Sequence, residues 1–117
     1  MAQQLLFTSE PKQNFIINLE NGEVVSLFFW YMAISSSWYL VSFTYNEKTR
    51  YINKRVALNH NLLSSFYNLI PFGLICLSDD NIDPTFLDDF ETGRTTLTIT
   101  AKEETKLIED ALFSNNS

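Results

Sequence analysis

Histidine, cysteine and glycine are scarce in this chain, and the scarcity leaves little room for catalytic chemistry. His60 is the one histidine and Cys76 the one cysteine among 117 residues. A single cysteine makes no intramolecular disulfide, which fits a reducing compartment or a fold that needs no staple. One His and one Cys do not build a structural zinc site. They could in principle pair as base and nucleophile, but no motif ties a further acid to them. Cys76 sits in the apolar run Leu74-Ile75-Cys76-Leu77, where cysteine behaves as a small hydrophobe. His60 stands between Asn59 and Asn61, the composition of a turn. The three glycines, Gly22, Gly73 and Gly93, are isolated, so there is no glycine-rich phosphate loop.

Basic residues are also few. Eight Lys and Arg stand against fourteen Asp and Glu, for a formal net charge of −6. Such a chain repels phosphates, so nucleic acid is not an expected partner. Long hydrophobic runs are missing too. The greasiest window, Val24 to Ile34, is well short of the ~20 residues of a spanning helix, so no membrane span is expected. The first residues show no basic region followed by a small-residue cleavage site, and a soluble protein made in the cytoplasm is the expectation. Asp79, Asn81 and Asp83 have the spacing of the first three ligands of a calcium loop. The places that need Gly and Glu hold Pro84 and Phe90, and this mismatch favours a solvated acidic turn. No catalytic residue, metal or cofactor is assigned.

What the chain does have is aromatic rings. Phe, Trp and Tyr make up 15% of it, with ten phenylalanines. The length suits one domain, which at this size buries roughly two-thirds of its unfolded surface. An alternating strand around Phe15, Ile17 and Leu19 meets Asn21-Gly22, a pair suited to a type I′ hairpin turn, and Val24 to Tyr31 returns. Both faces of that return strand are apolar, so neither is expected to meet bulk water. Trp38 to Tyr45 is a third strand, with Tyr39, Val41, Phe43 and Tyr45 on one side. Arg50 to Leu58 alternates again, and Leu62, Leu63 and Phe66 have helical spacing. Leu74 to Leu77 reads as a central strand buried on both faces. Asp83-Pro84 should open a helical turn, with Asp as cap and Pro at the first position. Thr95 to Ala101 alternates cleanly, and Thr100-Ala101-Lys102-Glu103 matches a capping box for a helix running to about Phe113.

These elements predict an all-β fold: an antiparallel sandwich or small barrel of about six to seven strands. Short helical turns are expected near 62–68 and 84–90, with a C-terminal helix. The chain divides into an extended arm over 1–10, a β-rich core over 11–101, and a helix with a frayed tail over 102–117. The aromatic load has two readings. Either it is all core, or one sheet face is buried against another subunit. Candidate interface residues are Phe28, Trp30, Tyr31, Trp38, Tyr39, Arg50 and Arg55. Lys48, Arg50, Lys54 and Arg55 cluster around one hairpin, more simply read as a charged strand edge that deters pairing than as a binding patch. A ligand-binding barrel is the second reading, with Trp30, Tyr31, Trp38 and Tyr39 lining a cavity.

A family resemblance sharpens the first reading. Pro11-Lys12-Gln13-Asn14-Phe15 with Leu19 comes first, then Trp38-Tyr39-Leu40-Val41-Ser42-Phe43. Arg55-Val56-Ala57-Leu58 is followed by Asn61-Leu62-Leu63, and later by Phe72-Gly73-Leu74-Ile75-Cys76-Leu77 and the Pro84 to Leu97 segment with Gly93. In this order and spacing, over Pro11 to Ala101, the chain resembles the baseplate plug family of contractile-tailed bacteriophages. The resemblance implies a non-enzymatic structural protein of the virion. It would pack in several symmetry-related copies beside hub, tail-tube and other baseplate proteins, with no small-molecule substrate and no cofactor.

Overall fold

The computed structural model describes residues 2–114. Seven strands are present: β1 (Ala2–Gln4), β2 (Lys12–Asn18), β3 (Val24–Met32), β4 (Ser37–Tyr45), β5 (Lys48–Arg55), β6 (Phe72–Ser78) and β7 (Thr95–Ala101). A 3-10 turn covers Ser64–Phe66, and one helix, α1, covers Lys102–Ser114. The strands make two antiparallel sheets, ordered β1-β7-β6 and β2-β3-β4-β5. The predicted β-rich antiparallel sandwich is the observed architecture, and the two sheets stay separate rather than closing into a barrel.

Period-two burial explains the core. On β3, Val25, Leu27 and Phe29 are fully buried while Val24, Trp30 and Met32 reach solvent. On β7, Leu97 and Ile99 face them across the sandwich, with Phe72, Leu74 and Cys76 of β6 alongside. Each large apolar side chain so buried contributes about 1.5–3 kcal/mol. Trp38 is the largest of them, in ring contact with Phe7, Tyr31 and Phe90.

Several local expectations are corrected. The β2–β3 turn uses one left-handed residue, Gly22 (φ 85°), rather than the type I′ pair. Asn21 instead turns its side-chain oxygen to the Glu23 N–H (2.9 Å), and the Leu19 N–H donates to the Glu23 carbonyl (2.8 Å). On β4 the alternation breaks. Phe28 pairs with Ser42 and Phe29 with Leu40, so Val41 is an extra residue, a bulge. The inward set therefore switches from Trp38 and Leu40 to Phe43, and Tyr39 and Val41 do not share a face with Phe43. β6 is buried as expected but lies at an edge, with β7 in the middle. Its outer edge is closed by the preceding loop, where Asn59 and Leu62 donate N–H groups to the Cys76 and Leu74 carbonyls.

The N-terminal segment is no arm. β1 pairs with β7 of its own chain, the Leu5 N–H continues the ladder to Leu97 (2.8 Å), and Leu5 and Phe7 are buried in the core. Near 84–90 the chain makes turns rather than a regular helix, and the cap runs backwards. Asp89 accepts the Thr85 and Phe86 N–H groups, while Asp83 accepts the Leu58 N–H from another segment.

Helix α1 forms where predicted but without the capping box. The Thr100 hydroxyl bonds the Thr105 hydroxyl instead, and Glu103 points to solvent. Thr100 pairs with Gly73 while its neighbour Ile99 points into the core, so α1 lies on the outer side of the three-stranded sheet. Thr105 is its buried contact. Of the predicted apolar face, Ile108 and Leu112 are half-buried, and Leu107 and Ala111 are exposed. The fraying expected from Ser114 onward falls, after Ser114 itself, outside the described residues. The helix can come this close because Gly73 has no side chain. A Cβ there would sit 2.6 Å from Thr105 Oγ1 and 2.9 Å from Asn61 Nδ2. Gly73→Ala is therefore expected to cost about 1–3 kcal/mol in urea denaturation, and much less in a Thr105→Ala background.

Candidate interaction face

The outer face of the four-stranded sheet has no cover from the described residues of the chain. Strand register sets its rows. Lys12, Trp30, Tyr39 and Arg55 stand side by side, then Asn14, Phe28, Ser42 and Tyr51, then Ile16, Ser26, Thr44 and Thr49. Ile16 is 75% exposed, Tyr51 77% and Trp30 38%. The Lys12 ammonium lies 4.7 Å from the Trp30 ring centre. The Thr44 and Thr49 hydroxyls bond each other at 2.8 Å. Trp30, Met32, Tyr39, Val41 and Asn53 line a depression of about 270 Å3 on this face. The bulge at Val41 helps make it by re-aiming the side chains on either side.

The seven residues expected at an interface are divided by the fold. Phe28, Trp30 and Tyr39 lie on the open face, with Arg55 at its edge. Arg55 donates to the Ser37 hydroxyl (3.2 Å) and pairs with Asp83 at 3.5 Å. Arg50 pairs with inward-facing Phe43 and places its guanidinium over the Phe66 ring, 5.5 Å away. Trp38 and Tyr31 are corrected: they face inward, Trp38 within the core and Tyr31 half-buried against it. Trp38 is 0% exposed, and its indole N–H points to the Phe86 carbonyl (3.4 Å). The Tyr31 hydroxyl donates to the Thr85 carbonyl (2.7 Å). Ile16, Met32, Val41 and Tyr51 belong to the face but were not singled out in the sequence. Their signal was a strand partner, which register alone supplies.

The acidic loop is solvent-exposed at Asp79, Asp80 and Asn81, as expected, but it is tied down from one side. Arg94 gathers it: its guanidinium bonds both oxygens of Asp89 (3.0 and 2.6 Å), Asp80 (2.7 Å), and the carbonyls of Ile82 and Asp83. Burial alone would raise the Asp89 pKa. Hydrogen bonds from Arg94, Phe86 and Thr85 outweigh it and hold the carboxyl below its ordinary value. Asp80 is likewise lowered: the desolvation that opposes this is outweighed by the Ile82 N–H and Arg94. Arg94 thus works as a structural clamp.

Cys76 is wholly buried, while His60 is exposed. Burial, reinforced by the nearby Asp83 charge and partly offset by Arg94, pushes the Cys76 thiol up to about 12. At neutral pH it is a thiol rather than a nucleophilic thiolate. Among the described residues, no group of three or more His, Cys, Asp or Glu is placed to hold a metal ion, and no helix is long and apolar enough to cross a membrane. The chain matches no protein-family model and no curated protein.

Proposed function

We propose that this chain is a non-catalytic structural subunit of a contractile phage tail baseplate, of the plug type. It is made in the host cytoplasm, resides in the virion, and works by burying its open sheet face against baseplate, hub or tail-tube neighbours. One observation carries this reading: a sheet face bearing Ile16, Phe28, Trp30, Met32, Tyr39 and Tyr51 that the described chain leaves uncovered. Exposed apolar area of that kind, rimmed by polar groups, is characteristic of interaction sites. The resemblance over Pro11 to Ala101 supplies the setting. The ligand-barrel reading has less support, because Trp30 and Tyr39 lie outside the sheet while Tyr31 and Trp38 lie inside and line no common cavity.

Mass spectrometry of purified virions and of isolated baseplates tests the proposal. The protein is expected in both, and its absence from particles ends the reading. A Trp30→Glu, Tyr51→Glu double variant is expected to fold, with a melting temperature within a few degrees of wild type. It should fail to enter particles.

A further inference from the structure

Three of the four sheet edges are protected against pairing. β1 is only three residues long. β6 is closed by the loop before it, through the Asn59 and Leu62 N–H groups. β5 carries Lys48, Arg50, Lys54 and Arg55 and turns left-handed at Asn53 (φ 46°). Shortness, cover, charge and irregularity are the devices by which an edge avoids pairing. β2, the fourth edge, has none of them along Asn14-Phe15-Ile16-Ile17-Asn18: no charge, no proline and no register shift.

The hydrogen-bond phase shows what this edge offers. The Tyr31 N–H donates to the Pro11 carbonyl, and the Leu19 N–H to the Glu23 carbonyl, at the two ends of the β2–β3 ladder. Odd-numbered residues of β2 therefore turn their N–H and C=O groups to β3. Lys12, Asn14, Ile16 and Asn18 turn theirs to the free edge, and among the described residues nothing bonds them there. The side chains of the same four residues are exposed on the outer face.

We infer that two copies of this chain join edge to edge through β2, antiparallel across a two-fold axis at Ile16. The strand matches itself in that register. Ile16 faces the partner's Ile16, Asn14 faces the partner's Asn18, and Lys12 comes opposite the partner's Glu20, just past the strand end. On the inner side Phe15 stands opposite the partner's Ile17. Apolar meets apolar, amide meets amide and cation meets anion, the pairings that stabilise neighbouring strands. A centre at Phe15 would set Ile16 against Asn14 and Glu10 against Glu20, so the side chains select Ile16. The three facing pairs from Asn14 to Asn18 exchange about six backbone hydrogen bonds. The result is one eight-stranded sheet, roughly 38 Å wide, with both open faces on the same side. So narrow a contact falls below the ~1,200 Å2 of a standard interface, and a dissociation constant on the order of 10–100 μM is expected. The contact is made by the backbone of the edge, not by the open face that carries the assembly reading.

Sedimentation equilibrium of the purified full chain tests this, and wild type is expected in a monomer–dimer equilibrium. Ile16→Lys puts two cations at the axis, and Asn14→Pro removes an N–H that serves only the free edge. Each is expected to weaken the dimer at least ~10-fold. Should Asn14→Pro lower the melting temperature, Ile16→Lys carries the test alone, since the Ile16 side chain is 75% exposed. Tyr51→Glu, on the same face but at the far edge strand, is expected to dimerise like wild type. Ile16→Cys should give a covalent dimer with a short bis-maleimide. Asn18→Cys, whose two copies lie roughly 14 Å apart across the axis, should give far less. Cys76 is buried and stays silent in both. A wild type that stays monomeric up to about 1 mM overturns the inference. So does a dimer that tolerates Ile16→Lys, that Tyr51→Glu abolishes, or that crosslinks equally from Ile16→Cys and Asn18→Cys. A monomer in solution would leave a place in the virion intact, whereas absence from virions would leave the edge-paired dimer intact.

Discussion

Arg94→Ala is expected to destabilise the protein by about 3–5 kcal/mol, the usual cost of removing one partner from a buried ion pair. Asp89, with its side chain 5% exposed, would keep its charge and the two backbone N–H groups but lose both bonds from the guanidinium. The carbonyls of Ile82 and Asp83 and the Asp80 carboxylate would lose their shared donor in the same step. Urea denaturation measures the effect, which corresponds to a fall in melting temperature on the order of 10–20 °C. Arg94→Lys should recover little, because an ammonium cannot fork to two oxygens of one carboxylate. A loss below about 1 kcal/mol would mean that the acidic loop is not held to the sandwich through this residue.

The same clamp gives the protein an acid limit. Asp89 and Asp80 have folded-state pKa values below their ordinary range. A carboxylate depressed on folding contributes stability that is fully present above its unfolded pKa of about 4 and is lost as pH falls through the folded value. Wild type is therefore expected to lose stability as pH drops below about 4, and Arg94→Ala to show a flatter dependence over that interval.

The two tryptophans should respond to truncation in opposite ways. Trp38→Ala removes a fully buried indole from contact with Phe7, Tyr31 and Phe90, and the expected cost is about 3–5 kcal/mol. The cavity would open beneath the turns at 86–93, whose Phe86 carbonyl would also lose its indole donor. Trp30→Ala removes a ring from an open surface and is expected to change stability by less than about 1 kcal/mol. Its effect should fall on association. Equal losses from the two substitutions would contradict the assignment of one ring to the core and the other to the open face.

Much of the architecture could be read from local pattern. The apolar run of Val24 to Tyr31 and the alternation of Thr95 to Ala101 depend on near neighbours in the chain, although the first suggested two covered faces where Val24, Trp30 and Met32 reach solvent. These patterns predicted the antiparallel sandwich and the position of α1, whereas the turn and capping residues named a turn type and caps that the fold does not use. The aromatic excess left two readings open, and the fold divides it between them: Phe29, Trp38 and Phe43 are core, while Phe28, Trp30 and Tyr39 lie on the outer side of the sheet.

Tertiary structure decided the rest. Nothing near Ala2–Gln4 marks it as the partner of Thr98 to Thr100; that pairing brings together opposite ends of the chain. Whether Trp38 or Tyr39 turns inward depends on an unpaired residue at Val41, and a bulge is a property of two strands rather than one. Arg94 looks like an isolated surface cation until the fold sets it against Asp80 and Asp89. Periodicity states that a residue must be buried. Only register, set by every strand at once, determines which neighbour buries it and which side of the sheet is left open.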